Sequence, residues 1–250
     1  MLLFGRDQPI VMGPAPEPLV RSPATADATL ASPFPVGVVA PWAPLSAISV
    51  DPWMILRLCR YRQREAVPAS IWEAARAMAA HASTLVEPRA LVRPLRVAMV
   101  GADGARLGEG PVFTGRAIAR LLAGCPLAAP FALTLGPSLG AEVVALTERG
   151  DLLEGFLLDT AGWAAIETAV RALRLDLAAR ARPAGWRLTH RLGPGHQDWP
   201  LEEQRGFVGL FDGAENPVHL SEHGVLVPFK SITGCFGLAP QGAAEAGSSS

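Results

Sequence analysis

The sequence predicts a mixed fold of α-helices and β-strands, of the α+β or mixed α/β class. The clearest helix runs from Asp159 to about Ala181, and its buried stripe has a helical period: Ile166, Val170, Leu173 and Leu177. The clearest strand is the apolar run from Leu95 to Val100. The dipeptide Asp103-Gly104 follows that run and indicates a two-residue hairpin turn. Strand and helix patterns follow one another in mixed order, which is the basis of this fold class.

The remaining elements are predicted from the periodicity of apolar residues and from the positions of glycine and proline. Regular structure is expected to begin near Ser49. We expect helices at 71–85, 113–123, 139–148 and 159–181. We expect strands at 95–100, 131–135, 156–158, 188–191 and 218–238, with a return strand starting at 105. Gly150 ends the third helix, and Pro183 and Gly185 end the fourth. Pro200 suits the first turn of a further helix.

The chain divides into three segments. Residues 1–48 are predicted to form a poorly ordered extension, because nine prolines fall within the first 44 positions and no regular period is present. Residues 49–238 are predicted to form one folded module, and residues 239–250 a flexible tail. The length of 250 residues, of which 50% are apolar, is enough to bury one sizeable core.

The composition argues against several kinds of partner and location. Charged residues make up 18% of the chain and the formal net charge is −1, so nothing points to nucleic acid or to an anionic membrane. The stretch 121–141 carries no charge, but prolines and glycines interrupt it, which argues against a transmembrane helix. Three cysteines without a C-x-x-C spacing, and a start unlike a signal peptide, favour a soluble cytoplasmic protein.

A serine motif raises the possibility of hydrolase chemistry. The segment Gly136-Pro-Ser138-Leu-Gly140 fits the pattern G-x-S-x-G and lies between a predicted strand and a predicted helix, as a nucleophile elbow requires. Downstream acids and a histidine exist, namely Asp159, Asp198 and His196. The simpler interpretation is a turn in which Ser138 serves the start of the helix. A serine hydrolase that uses Ser138 is kept as a remote alternative.

A histidine motif raises the possibility of a zinc site. The segment from His219 to His223 fits the pattern H-x-x-E-H, which binds zinc only on a helix. Pro217 before it and Pro228 after it favour an extended chain. Along a strand the two histidines lie ~13 Å apart and cannot share one ion. We therefore expect no metal site.

Two longer stretches, in this order, resemble a known family. The first contains Arg191-Leu-Gly193-Pro194-Gly195-His196 and continues to the proline-led segment at Pro200. The second contains Leu220-Ser221-Glu222-His223, then Pro228, then Ser231-Ile-Thr-Gly234. Together they resemble the C-terminal activation domain of cobalamin-dependent methionine synthase, in particular its stand-alone relatives. The resemblance spans roughly residues 49 to 238, with looser matches at Arg60-Tyr61 after Asp51, Gly124-Cys125, Thr134-Leu-Gly136, and Leu158-Asp159 before Glu167.

The resemblance implies a fold and a function. The fold would be an α+β unit with a twisted, mainly antiparallel sheet flanked by helices. Its members bind S-adenosylmethionine in a shallow site and support reactivation, in which oxidised cob(II)alamin is reduced by a donor such as flavodoxin and then remethylated. The chain would act in trans, as a methionine synthase component in methionine biosynthesis. Cobalamin would be carried by its partner, a corrinoid protein or cobalamin-dependent methyltransferase that lacks its own activation domain.

The resemblance also implies a set of site residues. Arg191 would pair with the carboxylate of S-adenosylmethionine through its planar guanidinium, and Glu167 would take the ammonium. The turn Gly193-Pro194-Gly195-His196 would bring backbone close to the adenine, since glycine has no side chain in the way. Ser221 and Glu222 would support that loop or face the corrin. No catalytic acid, base or nucleophile is implied, because the reduced cobalamin is itself the nucleophile.

Alternatives remain open at Glu167 and for the whole chain. Glu167 lies one turn from Trp163 beside the buried stripe, so it could also be a boundary residue that reaches water. The family's aromatic residue after Pro-Gly is His196 here, and the only tyrosine of the chain is Tyr61. These departures favour an alternative in which the fold is a non-catalytic docking or assembly module for a corrinoid protein, with a decayed ligand site.

Overall fold

A computed structural model describes residues 20–21, 31–42 and 48–242. The α+β class is confirmed: an antiparallel sheet of nine strands is flanked by helices. The strands are β1 (Val20–Arg21), β2 (Ala40–Trp42), β3 (Arg89–Val92), β4 (Leu95–Val100), β5 (Gly104–Leu107), β6 (Val112–Thr114), β7 (Leu127–Thr134), β8 (Trp186–Leu192), β9 (His219–Leu220), β10 (Leu226–Val227) and β11 (Ser231–Pro240). The helices are α1 (Pro52–Leu58), α2 (Ala69–Leu85), α3 (Arg116–Leu122), α4 (Ser138–Arg149), α5 (Leu152–Ala181) and α6 (Gln204–Val208).

The centre of the sheet is the pair formed by β7 and β11. Strand β7 pairs with β11 along its whole length, from Thr134 opposite Ser231 to Leu127 opposite Leu238. The other edge of β7 pairs with β3 and then with the start of β4, while the other edge of β11 pairs with β8. The rest of β4 turns away to pair with β5, and β6 follows β5. Strands β9 and β10 form a separate two-stranded hairpin.

Apolar residues cover both faces of this central pair. Side chains of β7 alternate between the two faces, and the whole strand is buried. Phe131 and Leu133 belong to the core that α2, α4 and α5 complete. Ala128 and Ala132 belong to the opposite core, which α3 and α6 complete. The uncharged stretch that contains β7 is therefore explained by burial on both faces, and no helix within the described residues is long and apolar enough to cross a bilayer.

The long helix extends further than the sequence predicts. The prediction of a short strand at 156–158 is wrong, because these residues lie inside α5, which begins at Leu152. Gly155, just before these residues, is buried where α4 meets α5. A Cβ at this position would lie 3.2 Å from Thr147 Oγ1. A short apolar run fits a buried strand and a buried helix equally well, so periodicity alone could not separate them.

Three other boundaries differ from the prediction. The helix expected at 113–123 begins at Arg116, since residues 112–114 form β6. After Pro200 the chain forms a 3₁₀ turn at Leu201–Glu203 before α6 begins. The extended element expected at 218–238 consists of β9, β10 and β11, because a turn reverses the chain after Leu220. The hairpin between β4 and β5 is confirmed, with Val100 opposite Ala105, but its turn lies at Ala102-Asp103 and Gly104 is already the first residue of β5.

Parts of the proline-rich segment join the folded module. Strand β1 pairs with β4, and strand β2 pairs with β3. Phe34 is buried in the core on the α5 side of the sheet, where its ring meets Trp42 edge to face. Residues 1–19, 22–30 and 43–47 of the extension predicted at 1–48, and most of the tail predicted at 239–250, lie outside the described residues.

Candidate functional site

The paired charges of Arg191 and Glu167 form the centre of the candidate site. Arg191 lies in β8, opposite Phe236 of the central strand β11, and Glu167 lies in the middle of α5. Arg191 Nη2 donates a hydrogen bond to Glu167 Oε1 over 3.1 Å. The two side chains for which the sequence predicts binding of a ligand carboxylate and ammonium therefore lie side by side, although 24 positions separate them.

The two members of this pair differ in burial. The side chain of Arg191 is 20% exposed, whereas that of Glu167 is 60% exposed. Arg191 Nη1 is buried, and no described residue accepts a hydrogen bond from it. Leaving a buried donor of a charged group unpaired costs free energy, so an added acceptor at this place would be stabilising. Among the described residues, the pair therefore leaves Arg191 Nη1 without an acceptor and the carboxylate of Glu167 exposed.

A glycine of β11 gives Arg191 its position. A Cβ at Gly234 would lie 3.2 Å from Arg191 Cγ and 2.9 Å from Phe131 Cζ. Phe131 is held in place because it stacks on Phe236, with ring centroids 5.2 Å apart. A side chain at Gly234 would therefore press on Phe131 and on the aliphatic part of Arg191. In the sequence, Gly234 stands out only as the end of the second motif.

The glycine turn follows β8 directly. A Cβ at Gly193 would lie 2.8 Å from the carbonyl oxygen of Thr233, so this glycine is required by the close approach of β11. Gly195 has a φ of +84°, in the left-handed region that favours glycine. The amide of His196 donates to the carbonyl of Gly193 over 3.1 Å and closes the turn. Pro194 is buried, so the part of the turn that a ligand could reach is Gly195 and His196.

Three residues that the sequence analysis did not select as site residues anchor this turn. Asp198 accepts hydrogen bonds of 2.9 Å from the first two backbone amides of α3. Trp199 is buried, and its Nε1 donates to Glu203 Oε2 over 2.9 Å. Glu203 also accepts from the amide of Thr114 at the end of β6. No sequence signal links Asp198 to α3, because about 80 positions separate the partners.

These contacts also set the charge state of Asp198. The amide of Ala117 is the main cause that lowers the pKa of Asp198 below its usual value, and the amide and guanidinium of Arg116 add to it. The carboxylate therefore stays ionised at neutral pH, and its negative charge stabilises the N-terminus of α3. Gly115 allows this approach, since a Cβ there would lie 2.7 Å from the carbonyl oxygen of Asp198.

Ser221 and Glu222 lie in the turn that joins β9 to β10. The amide of Ser221 donates to the carbonyl of Val225, and its hydroxyl oxygen accepts from the amide of Val225. Glu222 is exposed at the tip of the turn. Within the described residues, no hydrogen bond or ion pair joins either residue to Arg191 or Glu167. Ser221 thus holds its own hairpin, and Glu222 is free to face a partner.

The only lysine of the chain marks a buried contact that the sequence analysis missed. Lys230 precedes β11 and is 1% exposed, with Nζ 2.7 Å from Asp159 Oδ1 and 4.5 Å from the ring centroid of Trp163. Gly162 leaves space for it, since a Cβ there would lie 2.8 Å from Lys230 Cε. Burial lowers the pKa of Lys230, and Asp159 opposes this effect. Because Asp159, Trp163 and Glu167 lie at helical spacing, Lys230 fixes β11 against the same face of α5.

Among the described residues, the serine motif at Ser138 and the histidine motif at 219–223 lack the neighbouring side chains that a hydrolase or a zinc site needs. Ser138 is the first residue of α4, and no described histidine or carboxylate forms a hydrogen bond with it. Asp159, a candidate acid of a triad, is engaged with Lys230. His219 lies in β9 and His223 in the turn that follows, and the described residues contain no group of three potential ligands placed to hold a metal ion.

Comparisons with known proteins bear on the fold. No protein-family model matches the sequence, and no curated protein sequence matches it. Among solved structures, the MetH reactivation domain bound to AdoHcy aligns with 83% of this chain and 80% of its own, with a TM-score of 0.54 and 15% sequence identity. This chain has the fold of the MetH reactivation domain. The reactivation-domain fold is the one that the resemblance of the two motifs implies, so that prediction is confirmed at the level of fold.

Proposed function

We propose that this chain binds S-adenosylmethionine and supports the reductive remethylation of a cobalamin-dependent methyltransferase, acting in trans. The observation that carries the proposal is the buried, unpaired Nη1 of Arg191 beside the exposed carboxylate of Glu167. The fold adds support, since its solved relative holds AdoHcy, which is S-adenosylmethionine without the methyl group. The partner would be a corrinoid protein, such as a methionine synthase, that lacks this domain.

The amino-acid end of the ligand matches the charged pair. S-adenosylmethionine carries a carboxylate and an ammonium on one carbon atom, so a site for it needs a cation and an anion side by side. Arg191 Nη1 would donate to the ligand carboxylate, while Nη2 keeps its hydrogen bond to Glu167. Glu167 accepts only that one hydrogen bond among the described residues, which leaves it able to accept from the ammonium. The pair therefore fits the zwitterion without breaking its own contact.

The nucleoside end of the ligand would lie along the glycine turn. Gly195 and His196 are exposed directly after β8, next to Arg191 in the chain. Gly193 and Pro194 are buried beneath them and hold the turn on β11. In this proposal the backbone of the exposed residues contacts the adenine, and His196 stands where the relatives carry an aromatic side chain.

The contribution of the chain to the reaction is positioning. Bound S-adenosylmethionine supplies an electrophilic methyl group to a reduced cobalamin that the partner carries, with electrons from a flavodoxin-like donor. Arg191 and Glu167 would hold the amino-acid end, and the anchored turn would hold the nucleoside end. Orientation of two reactants accounts for about 7–11 kcal/mol in favourable cases, so no acid or base of the chain is needed. Ser221 and Glu222, on the β9–β10 turn, would contact the partner.

Calorimetric titration with S-adenosylmethionine and with S-adenosylhomocysteine tests the site. We expect saturable binding to the unaltered chain. Arg191→Ala removes a charge-assisted hydrogen bond of about 1.5–3 kcal/mol, so we expect binding weaker by about 10- to 100-fold. Glu167→Gln keeps the shape and removes the charge, and should weaken binding of both ligands by a similar factor. Arg96→Ala, at an exposed arginine of β4, is the control for loss of a positive charge and should bind normally.

A reactivation assay separates this proposal from its rival. In the assay, the chain is added to a cobalamin methyltransferase without an activation domain, with S-adenosylmethionine and reduced flavodoxin. We expect recovery of activity that Arg191→Ala abolishes, while pull-down of the partner is unchanged in the variant. No binding of either ligand, with or without the partner, would contradict the proposal. Partner binding alone would then favour the non-catalytic docking module.

A further inference from the structure

We propose a second site on this chain, at the C-terminal end of α1, which binds a phosphate-bearing small molecule. An open cavity of about 820 Å³ lies there, lined by Trp53, Arg57, Arg60, Tyr61 and Arg62. Its volume is within the range of sites that take small molecules, roughly 300–1,000 Å³. The cavity lies outside the Arg191 site and shares no residue with it, so this inference does not rest on the proposed function.

The end of α1 brings the three arginines together. The amide of Tyr61 donates to the carbonyl of Leu56 and the amide of Arg60 donates to that of Arg57, both over 3.0 Å. These two hydrogen bonds form a Schellman motif, which reverses the chain at the end of a helix. As a result Arg57 on the last turn of α1, Arg60 in the motif and Arg62 after it all line one cavity.

The conformation of Arg60 is unusual for its residue type. Its φ is +71°, at the position of the Schellman motif where glycine is the common residue. A residue with a side chain is strained there, and such strain is typical of functional sites. The motif alone does not explain an arginine, because glycine would form the same two hydrogen bonds with less strain.

The positive charges in the cavity form no ion pair with any carboxylate in the described part of the chain. Within the described residues, no carboxylate oxygen lies within 4.0 Å of a guanidinium nitrogen of Arg57, Arg60 or Arg62, although other exposed arginines such as Arg149 form ion pairs. The C-terminus of a helix favours a cation, but α1 has only seven residues and one arginine would satisfy it. Three guanidinium groups that share a cavity repel one another unless an anion lies between them.

The chemistry of the lining selects the ligand. Guanidinium groups match phosphate oxygens in planar, bidentate geometry, so three of them suit a diphosphate better than a single carboxylate. The wall of the cavity is the indole of Trp53, held by Arg64, whose guanidinium lies 5.3 Å from the Trp53 ring centroid and 5.8 Å from that of Trp72. An aromatic wall beside a phosphate site can also pack against a base. The ligand class is therefore a small diphosphate, either inorganic or as part of a nucleotide.

Calorimetric titrations with inorganic pyrophosphate, ADP and adenosine test this site on the full chain. All are made with excess S-adenosylhomocysteine, so that the Arg191 site cannot contribute if it binds that ligand. We expect pyrophosphate and ADP to bind with one-to-one stoichiometry, more weakly as salt is raised, and adenosine not to bind. ADP that binds more tightly than pyrophosphate would indicate packing of the base on Trp53. Equal affinity would indicate that the phosphates alone are bound.

Variants locate the binding. In Arg57→Ala combined with Arg62→Ala we expect affinity for pyrophosphate at least 10-fold lower. Arg60→Gly should lower the affinity and raise the Tm, since glycine relieves the strained backbone. Arg120→Ala removes an exposed positive charge on α3 and is the matched control, expected to bind as the unaltered chain does. The proposal is overturned if neither phosphate compound binds the folded chain, if the arginine variants bind normally, or if Arg120→Ala weakens binding equally.

Discussion

The side chain of Arg191 is held in position by its neighbours, yet one of its nitrogens has no acceptor among the described residues. Its stem is fixed by the close packing of Gly234 and Phe131, and one of its two terminal nitrogens by Glu167. The remaining nitrogen is buried without an acceptor. Such preorganisation removes most of the entropy that a free arginine would lose on binding, which benefits a site for a small zwitterion.

The packing around Gly234 predicts a loss of stability when a methyl group is added. Gly234→Ala would place a Cβ 2.9 Å from Phe131 Cζ, and overpacking of this kind costs about 1–3 kcal/mol. We expect a lower Tm and weaker binding of S-adenosylmethionine, measured by calorimetry on the same sample. Gly140→Ala is the control, because a Cβ there meets nothing within 4 Å, on the first turn of α4. That variant should be more stable by about 0.4–1 kcal/mol, since alanine has less freedom in the unfolded chain. Equal effects of both variants would contradict this account.

At the scale of elements, the glycine turn is held by a helix that is distant in sequence. Asp198 caps α3 from outside the helix, so the turn and the helix stabilise each other. Removal of the Asp198 charge should therefore loosen both elements at once.

The pH dependence of stability reports on this contact. The folded state lowers the pKa of Asp198, so its contribution is present above the unfolded value of about 3.9 and is lost as pH falls below it. We expect Asp198→Asn to lower the Tm at pH 7 and to have a smaller effect at pH 3. Asp103→Asn, in the β4–β5 hairpin, should leave the Tm unchanged at both values, since Asp103 is exposed in the loop of that hairpin. If Asp198→Asn lowers the Tm by the same amount at pH 7 and at pH 3, the charge of Asp198 does not have this role.

The elements that the sequence predicted correctly are those with a local signal. The β4–β5 hairpin was indicated by the adjacent residues Asp103 and Gly104, although its turn lies one residue earlier, and the long helix by a stripe of four apolar positions. The error at 156–158 arose where the signal was not local: Gly155 is tolerated inside α5 because α4 packs closely against it. The same holds for the site: Asp198, Glu203 and Lys230 lie within the two motif stretches, but their partners lie far along the chain, so the motifs alone gave them no role.

At the scale of the whole molecule, two features could be predicted from the sequence and one could not. The α+β class followed from the mixed order of strand and helix patterns, and the reactivation-domain resemblance followed from the two motifs; the fold confirms both. The order of the strands did not follow, because β7 pairs with β3, β4 and β11, and the last of these is almost 100 positions away. Pairing over such distances is decided by burial on both faces of the sheet, which no window of sequence contains.

The position of β11 has a consequence for the biosynthesis of the chain. Thr134 of β7 pairs with Ser231, 97 positions later, so at roughly 5–20 residues per second the strand waits about 5–20 s on the ribosome for its neighbour. During that time an uncharged strand presents an open edge to other nascent chains. We expect a chain stopped before Ser231 to collect in the pellet after centrifugation of a cell-free translation, while the full chain stays in the supernatant. A soluble truncated chain would contradict this. The speed of translation through the C-terminal half therefore bears on how much folded protein a cell obtains.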